Sequence, residues 1–511
     1  MSSASAAKVF LVGAGPGDPG LITVKAASLL ASADAVVYDY LVHPGLLDRC
    51  RDDCERICVG KKAGFHSVPQ AEIQQILLRL ARAGKQVVRL KGGDPFIYGR
   101  GGEEALALAQ AGLPFEVVPG VTAAAAASAY AGIPLTHRNT SSSVIFLTGH
   151  EDPEKKELAV DWASFAKLDA TLCIYMGMGR MEEILRRLLA GGLRPETPAA
   201  VVQWASLPRQ RSLLATAGTL VEETSRAGLA APAVVLIGGV TDRMREIGWY
   251  EALPLFGRRI AVTRNRETSG GLGERLAALG AEVLEIPLVS ISPDPNPEIA
   301  EEVFSEFWGY EWIVFTSANG VRGFFDQFFQ RFSDIRALGG IRFAAIGRAT
   351  AKAIEEHRVA VELMPELSTA EGLADALAAT DSLDSAKVLV ITGSRNRDVL
   401  VNRLHEARAI VDQFPVYRTD LADIREHPAA EDFRRGGADL IAFTSSSAVE
   451  SFIQQAPRLK IADGGRHPKA ASLGPVTSEK LRASGIPLAV ESPEASLDAL
   501  ASAICRHFAQ T

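Results

Sequence analysis

No run of eighteen uninterrupted apolar residues occurs in the 511-residue chain, so no transmembrane helix is expected. The first residues, MSSASAAK, lack the apolar core and cleavage pattern of a secretory signal, which predicts a soluble, cytoplasmic protein. Long basic runs are missing as well; with a net charge of −7 and a pI near 5.8, nucleic acid is a poor partner. Cysteines number only five, and Cys173 and Cys505 are isolated and carry no signal. Cys50, Cys54 and Cys58 recur every four residues, but C-x3-C-x3-C is not a zinc spacing; reduced thiols on one face of a helix are expected, and no metal site.

What is present is an alternation of apolar β-like runs and helix-like stretches, enough for several compact units. In the first half VFLVG, AVVYDY, QVVRLKGG, SVIFLTG and TLCIYMG read as strands, with helical segments such as AEIQQILLRLARAGK between them. The helix within PFEVVPGVTAAAAASAYAG is so rich in alanine that a neighbour must pack close to it. Composition changes across residues 242–259, where PAVVLIGGV gives way to RRIAVTR; this places a domain boundary near residue 253.

Residues 257–511 hold two copies of one unit. EWIVFTSANGVRGF from Glu311 and DLIAFTSSSAVESF from Asp439 stand 128 positions apart, as do Pro287 and Pro415, and Pro365 and Pro493. FAAIGRATAKAI matches KAASLGPVTSEKL one residue off that register. Each copy has the pattern of a parallel sheet flanked by helices, and two such lobes predict a cleft between them, a favoured place for a ligand.

The turn GAGPGDPG after the first strand resembles a dinucleotide fingerprint only in part. Pro16 has no N–H to offer a phosphate, and Asp18 puts a carboxylate where the third glycine belongs, so a neutral or cationic ligand fits better. A second glycine-rich turn, VVRLKGGDPFIYGRGGEE (87–104), allows close backbone approach at Gly92 and Gly93 and is set by Asp94-Pro95.

Taken in order, GAGPGDPG, VVYDYLV, VGKKAGFHSVPQ, VVRLKGGDPFIYGRGGEE, VVPGVTAAAAASAYAGIPLTHR, LTGH, YMG and PRQR closely resemble the uroporphyrinogen-III C-methyltransferases of the tetrapyrrole methylase family, over about residues 8–245. The resemblance implies two α/β lobes within residues 1–250, about 1–118 and 119–250, a homodimer formed through this half, and S-adenosylmethionine held between the lobes. Position by position, it implies cofactor contacts at Pro16, Gly92, Gly93, Asp94, Ile97, Thr122, Ala123, Met176 and Ala205. It makes Asp39 the proton acceptor and Lys61 the donor, and gives Arg100, Glu103 and Arg138 to the macrocycle and its chemistry. The implied reaction is attack of a pyrrole carbon on a methyl sulfonium, which needs alignment and proton management. A substrate with eight carboxylates also calls for cations, and Lys62, Arg89, Lys91 and His137 add to those already named. Read without the family, Asp39 is a turn cap, Lys61 a solvated lysine, Met176 core packing, and Arg100 with Glu103 an i,i+3 ion pair. Tyr40 stands where the family often has arginine, and Trp204-Ala205-Ser206 where many members have Gly-Thr.

The second half is similar to uroporphyrinogen-III synthases over about residues 257–511, on FTSANGV, AIGRATA, LMPELSTAEGL, VLVITGSRNRDVLVNRL, PVYRT, FTSSSAV and LGPVT. This implies a bilobal unit at 256–511, with one lobe from about 256–289 plus 418–511 and the other from about 293–413, joined by PLVSISPDP and FPVYRT. It implies no cofactor, a tyrosine aiding hydroxyl loss at Tyr417, and substrate contacts at Arg264, Ser317, Thr350, Ser445 and Thr477, with Arg395, Arg397 and Arg418 near in sequence. Together the halves imply conversion of hydroxymethylbilane to uroporphyrinogen III with ring D inverted, then two methylations at C2 and C7 to precorrin-2, on the way to sirohaem or cobalamin. The rival reading makes the second half a non-catalytic tetrapyrrole sensor.

Overall fold

The computed structural model describes residues 8–60, 68–149, 160–263, 271–294, 296–394 and 399–510, arranged on four five-stranded sheets. The first half contributes β1 (Val9–Gly13), β2 (Ala35–Tyr38), β3 (Glu55–Cys58), β4 (Val87–Lys91), β5 (Phe115–Val118), β6 (Val144–Thr148), β7 (Thr171–Tyr175), β8 (Pro198–Gln203), β9 (Arg211–Thr216) and β10 (Ala233–Ile237). Strands β1–β5 form one parallel sheet in the order β3-β2-β4-β1-β5. Its central strands VFLVG and VVRLK are buried along their whole length, as continuous runs in a sheet covered on both faces should be. Helix Gln70–Arg82 covers one face with Ile73, Leu77, Leu80 and Ala81, which share one side of a 3.6-residue repeat.

The second sheet runs β6-β7-β10-β8-β9 and is mixed: β6 and β7 are parallel, while β10 lies antiparallel to both β7 and β8, and β8 to β9. The alanine-rich helix Ala123–Ala131 packs on it with Ala124, Ala127 and Ala131 buried against Tyr175 and Val234. Small side chains allow that close approach.

The second half adds β11 (Arg259–Val262), β12 (Glu282–Glu285), β13 (Val289–Pro293), β14 (Trp312–Phe315), β15 (Arg342–Ala345), β16 (Lys387–Gly393), β17 (Ile410–Leu421), β18 (Leu440–Phe443), β19 (Lys469–Ser472) and β20 (Leu488–Glu491). One sheet has the order β12-β11-β18-β19-β20 and the other β13-β17-β16-β14-β15. The repeat is visible in both. Strands β11, β12 and β14 start 128 residues before β16, β17 and β18, and β15 starts 127 before β19. Yet the two copies interdigitate: each gives its first two strands to one sheet and later strands to the other. The long strand β17 runs parallel to β16 from Ile410 to Tyr417, and its last residues pair antiparallel with β13, from Val289 opposite Leu421 to Pro293 opposite Tyr417, making a two-stranded connection.

The helix expected through the three cysteines is not there. Pro44–Arg49 is a 3-10 helix that Cys50 ends, Cys54 follows a turn, and Cys58 closes β3, because pairing of residues 55–58 with β2 overrides the four-residue pattern. All five cysteines are free, with Cys50 and Cys54 buried and Cys58 exposed. Among the described residues no group of three or more ligating side chains could hold a metal, and no helix is long and apolar enough to cross a membrane.

Candidate active sites

Strands β1 and β4 are neighbours in register, Val9 opposite Val87 through Gly13 opposite Lys91, so their glycine turns emerge side by side at the C-terminal edge of the sheet. Ligands of open parallel sheets bind at that edge. The turns interlock: Gly93 N–H donates to the Gly15 carbonyl at 2.7 Å, Gly15 N–H to the Gly93 carbonyl at 3.2 Å, and Ala14 N–H to the Lys91 carbonyl at 2.7 Å. A third turn, after β5, closes on them. A Cβ on Gly13 would lie 2.6 Å from Gly120 Cα, and one on Gly120 would lie 2.4 Å from the Gly93 oxygen. Asp94 locks the assembly, accepting from Phe96 N–H at 2.8 Å and Gly120 N–H at 3.0 Å while only 8% exposed. A Cβ on Gly92, by contrast, would meet only Leu41 at 3.8 Å, which leaves backbone open to a ligand there.

The second sheet supplies the facing wall. Tyr175, at the end of β7, shares a 2.7 Å hydrogen bond with Thr122 Oγ1 and accepts from Ala124 N–H at 3.1 Å. Its ring lies 5.0 Å from that of Tyr98, whose hydroxyl donates to the Phe146 carbonyl at 2.8 Å; Ile97 packs in the same cluster. Met176 is next, 49% exposed, and Ala205 is buried beyond β8. Tyr98, Arg100, Met176, Trp204 and Ser206 all have left-handed backbone, with φ between 51° and 67°. Such conformations cost about 1–3 kcal/mol each and gather where a site is held in one shape. Asp18 ties the first turn, which Pro16 opens, to this wall. Asp18 N–H donates to Ser206 Oγ at 3.1 Å, and its carboxylate accepts from Tyr130 Oη at 2.5 Å and Gly20 N–H at 2.7 Å. Burial, then the Asp18 carboxylate, pushes the Tyr130 hydroxyl well above its ordinary value.

Asp39 follows β2 on the same edge and accepts from Arg89 Nη2 at 2.5 Å. Arg89 and Lys91 are each only 2% exposed, and both donate to Glu104 Oε1, at 3.1 and 3.0 Å. Both face the helix Gly101–Gln110 from the middle and end of β4, so these two cations are consumed inside the protein and are not available to substrate carboxylates, contrary to the expectation from sequence. Burial, with Arg89 beside it, lowers the Lys91 ammonium from its ordinary value, and Glu104 opposes that. Arg100 and Glu103 form the exposed i,i+3 pair, at 2.9 and 2.8 Å, while Arg138 is exposed beyond His137. Lys61, with Lys62, lies outside the described residues. Glu104 was not expected from sequence. The available signal was a pair of cations two residues apart inside an apolar strand, which requires a buried anion opposite.

In the second half Tyr417 sits on the connection and its hydroxyl accepts from Ser317 Oγ at 3.1 Å. Ser317 caps helix Ala318–Arg331, accepting from Gly320 N–H at 3.0 Å; Ser445 caps Ser446–Gln455 in the same way, accepting from Ala448 N–H at 3.2 Å. A cavity of about 810 Å³ beside Tyr417 is lined by Ser292, Asn319 and Arg322 among others. Arg418 pairs with Asp294 at 3.3 Å. Thr350 and Thr477 occupy equivalent first turns but are 4% and 6% exposed, so their side chains have little surface to offer. Arg264, Arg395 and Arg397 lie outside the described residues.

A model of the tetrapyrrole (corrin/porphyrin) methylases matches residues 8–221, and one of uroporphyrinogen-III synthase HemD matches residues 271–502. The porphyrin biosynthesis protein HemD of Ruminiclostridium josui is 39% identical over 445 residues, covering 87% of this chain and 88% of that protein. Siroheme synthase 2 of Halorhodospira halophila is 51% identical over 247 residues, 48% of this chain; the chain spans about half the length of that relative, 50%. Among solved structures, uroporphyrin-III C-methyl transferase from Thermus thermophilus complexed with S-adenyl homocysteine is 41% identical, covering 46% of this chain and 99% of that one, with a TM-score of 0.41.

Proposed function

The chain belongs to the tetrapyrrole methylases in its first half and to the uroporphyrinogen-III synthases in its second, and from this we propose a bifunctional enzyme that makes uroporphyrinogen III and then methylates it. What carries the reading is the union in one chain of two families whose reactions are consecutive, the product of one being the substrate of the other.

In the second half hydroxymethylbilane loses water, the substituted carbon of ring D is attacked, and closure through a spiro intermediate inverts that ring. Tyr417, held by Ser317, assists departure of the hydroxyl, and the capped helix ends with Ser317 and Ser445 receive carboxylates. No cofactor takes part. In the first half S-adenosylmethionine, when bound, supplies two electrophilic methyl groups, to C2 and C7. The residues present fit it: Gly92 leaves backbone open, Gly93 and Asp94 hold that turn, and we assign Pro16, Ile97, Thr122, Ala123, Met176 and Ala205 to its contacts. The methylated ring carbons already carry substituents and have no hydrogen to lose, so each transfer releases one proton net from elsewhere in the macrocycle; Asp39 accepts it, and Lys61 donates a proton only where a second one leaves as the double bonds shift. Arg100, Glu103 and Arg138 orient the macrocycle. The product is precorrin-2, for sirohaem or cobalamin. We place the enzyme in the cytoplasm as a homodimer formed through its first half.

The test is to give the purified chain hydroxymethylbilane with and without S-adenosylmethionine and to analyse isomer and methyl content. Isomer III without the cofactor and a dimethylated product with it are expected. Isomer I alone, with methylation of supplied isomer III, would replace a catalytic second half by a tetrapyrrole sensor.

A further inference from the structure

Glu104 carries a feature that the chemistry above does not use. It is fully buried, and its Oε1 accepts from Arg89 Nε, Lys91 Nζ and Gln70 Nε2, all at 3.0–3.1 Å. Its Oε2 is buried and has no hydrogen-bond partner among the described residues. Arg89 is held at two further points, Nη1 donating to the Val37 and Leu90 carbonyls at 3.3 Å, which leaves Nη2 aimed at Asp39. Asp39, with its side chain 32% exposed, is where this network reaches the open edge of the sheet.

Stability does not account for such an arrangement. Buried ion pairs are commonly no better than apolar packing of the same volume, because desolvation offsets their attraction. A planar guanidinium held through its other nitrogens, however, presents its remaining N–H in a single direction. We propose that Glu104 is a positioning residue for the methyl-transfer half, fixing Arg89 so that Arg89 holds the Asp39 carboxylate in one orientation at the cleft. The proposal rests on Asp39 being the proton acceptor. The groups facing Glu104 are Arg89 and Lys91 from β4 and Gln70 from its helix, with Asp39 reached through Arg89. Two cations and two carboxylates balance, and loss of the Glu104 charge leaves the buried cations in excess.

The experiment compares Glu104→Gln, Arg89→Lys, Asp39→Asn and the double variant Asp39→Asn/Glu104→Gln in the full chain. Glu104→Gln keeps the side-chain shape and removes the charge. It is expected to lower kcat for methyl transfer by about ten- to a hundred-fold, the scale of a misplaced catalytic group. The KM for S-adenosylmethionine, the calorimetric Kd for S-adenosylhomocysteine and isomer III formation by the second half should all stay within about two-fold, consistent with a site that still binds but no longer aligns. Arg89→Lys, which keeps a cation but cannot span both carboxylates, should show the same split and decides the matter should Glu104→Gln not fold. In the Asp39→Asn background the Glu104 substitution should cost nothing further, since residues that act as a unit are non-additive. Full kcat in Glu104→Gln, or an undiminished effect in the Asp39→Asn background, overturns the proposal. A wild-type rate in Asp39→Asn alone instead overturns the acceptor role of Asp39.

Discussion

Gly393 offers a way to disturb Tyr417 without touching it. A bulge between Thr392 and Gly393 brings Gly393 opposite Tyr417, and a Cβ at that position would lie 2.4 Å from Tyr417 Cζ and 2.8 Å from its hydroxyl oxygen. Carbon atoms rest at about 3.5–4.0 Å, so Gly393→Ala must move the ring by roughly 1 Å or more. The obstacle is the far end of a half-buried side chain, so the ring swings and the strand stays. That breaks the 3.1 Å bond from Ser317. Overpacking of this kind costs about 1–3 kcal/mol of stability, which leaves the protein folded. A displacement near 1 Å is expected to slow isomer III formation by roughly a hundred-fold. Supplied with hydroxymethylbilane, the variant should release mostly the bilane that closes on its own to isomer I, read by chromatography of the oxidised porphyrins. Methyl transfer to supplied uroporphyrinogen III should be unchanged, an internal control for folding. Isomer III at the wild-type rate would refute the reasoning, since the Tyr417 hydroxyl would then have no required position.

Gly120→Ala tests the other site. Its Cβ would meet the Gly93 oxygen at 2.4 Å and Gly13 Cα at 2.8 Å, and backbone cannot swing aside, so the three turns must separate. Calorimetry should find S-adenosylhomocysteine bound at least about ten-fold more weakly, with isomer III formation retained; unchanged binding would mean that the turns do not shape the cofactor site. Glu116 gives a pH signature. Lys25 and Lys8 hold its carboxyl down at about 2, from an ordinary 4.5. The unfolded chain therefore binds more protons between those values, and the contribution of Glu116 is present above pH 4.5 and lost as pH falls through about 2. The difference in Tm between the protein and Glu116→Gln should be small, as for any exposed pair, and should close over that window; a difference that persists below pH 2 would contradict it.

Much of the architecture was legible in local pattern. The apolar runs at β1, β2, β4, β6 and β7 are strands, helix Gln70–Arg82 follows its 3.6-residue repeat, and both glycine turns lie where Pro16 and Asp94-Pro95 put them. Local pattern misled where pairing at a distance took over. Cys58 ends a strand because β2 offers a partner, and the antiparallel placement of β8, β9 and β10 has no mark in their composition. Charge counting also went astray at Arg89 and Lys91. Both add to a positive balance in the sequence, but alternation along β4 turns both to the covered face, where Glu104 meets them.

The 128-residue repeat and the order of motifs are properties of the sequence alone, and they determined that the second half is a duplicated α/β unit and that the two halves carry different chemistry. The repeat alone leaves open how the copies share strands, which at the level of sequence only the family resemblance implied. Sheet order is settled by which apolar faces cover one another across long separations, and here it sends β11 and β12 to β18 while β14 joins β16, so that neither copy forms a sheet by itself. The same long-range packing joins Glu104 to Asp39 through Arg89 and sets Gly393 against Tyr417. Periodicity specifies which face of an element is buried; only the assembled layers specify what that face meets.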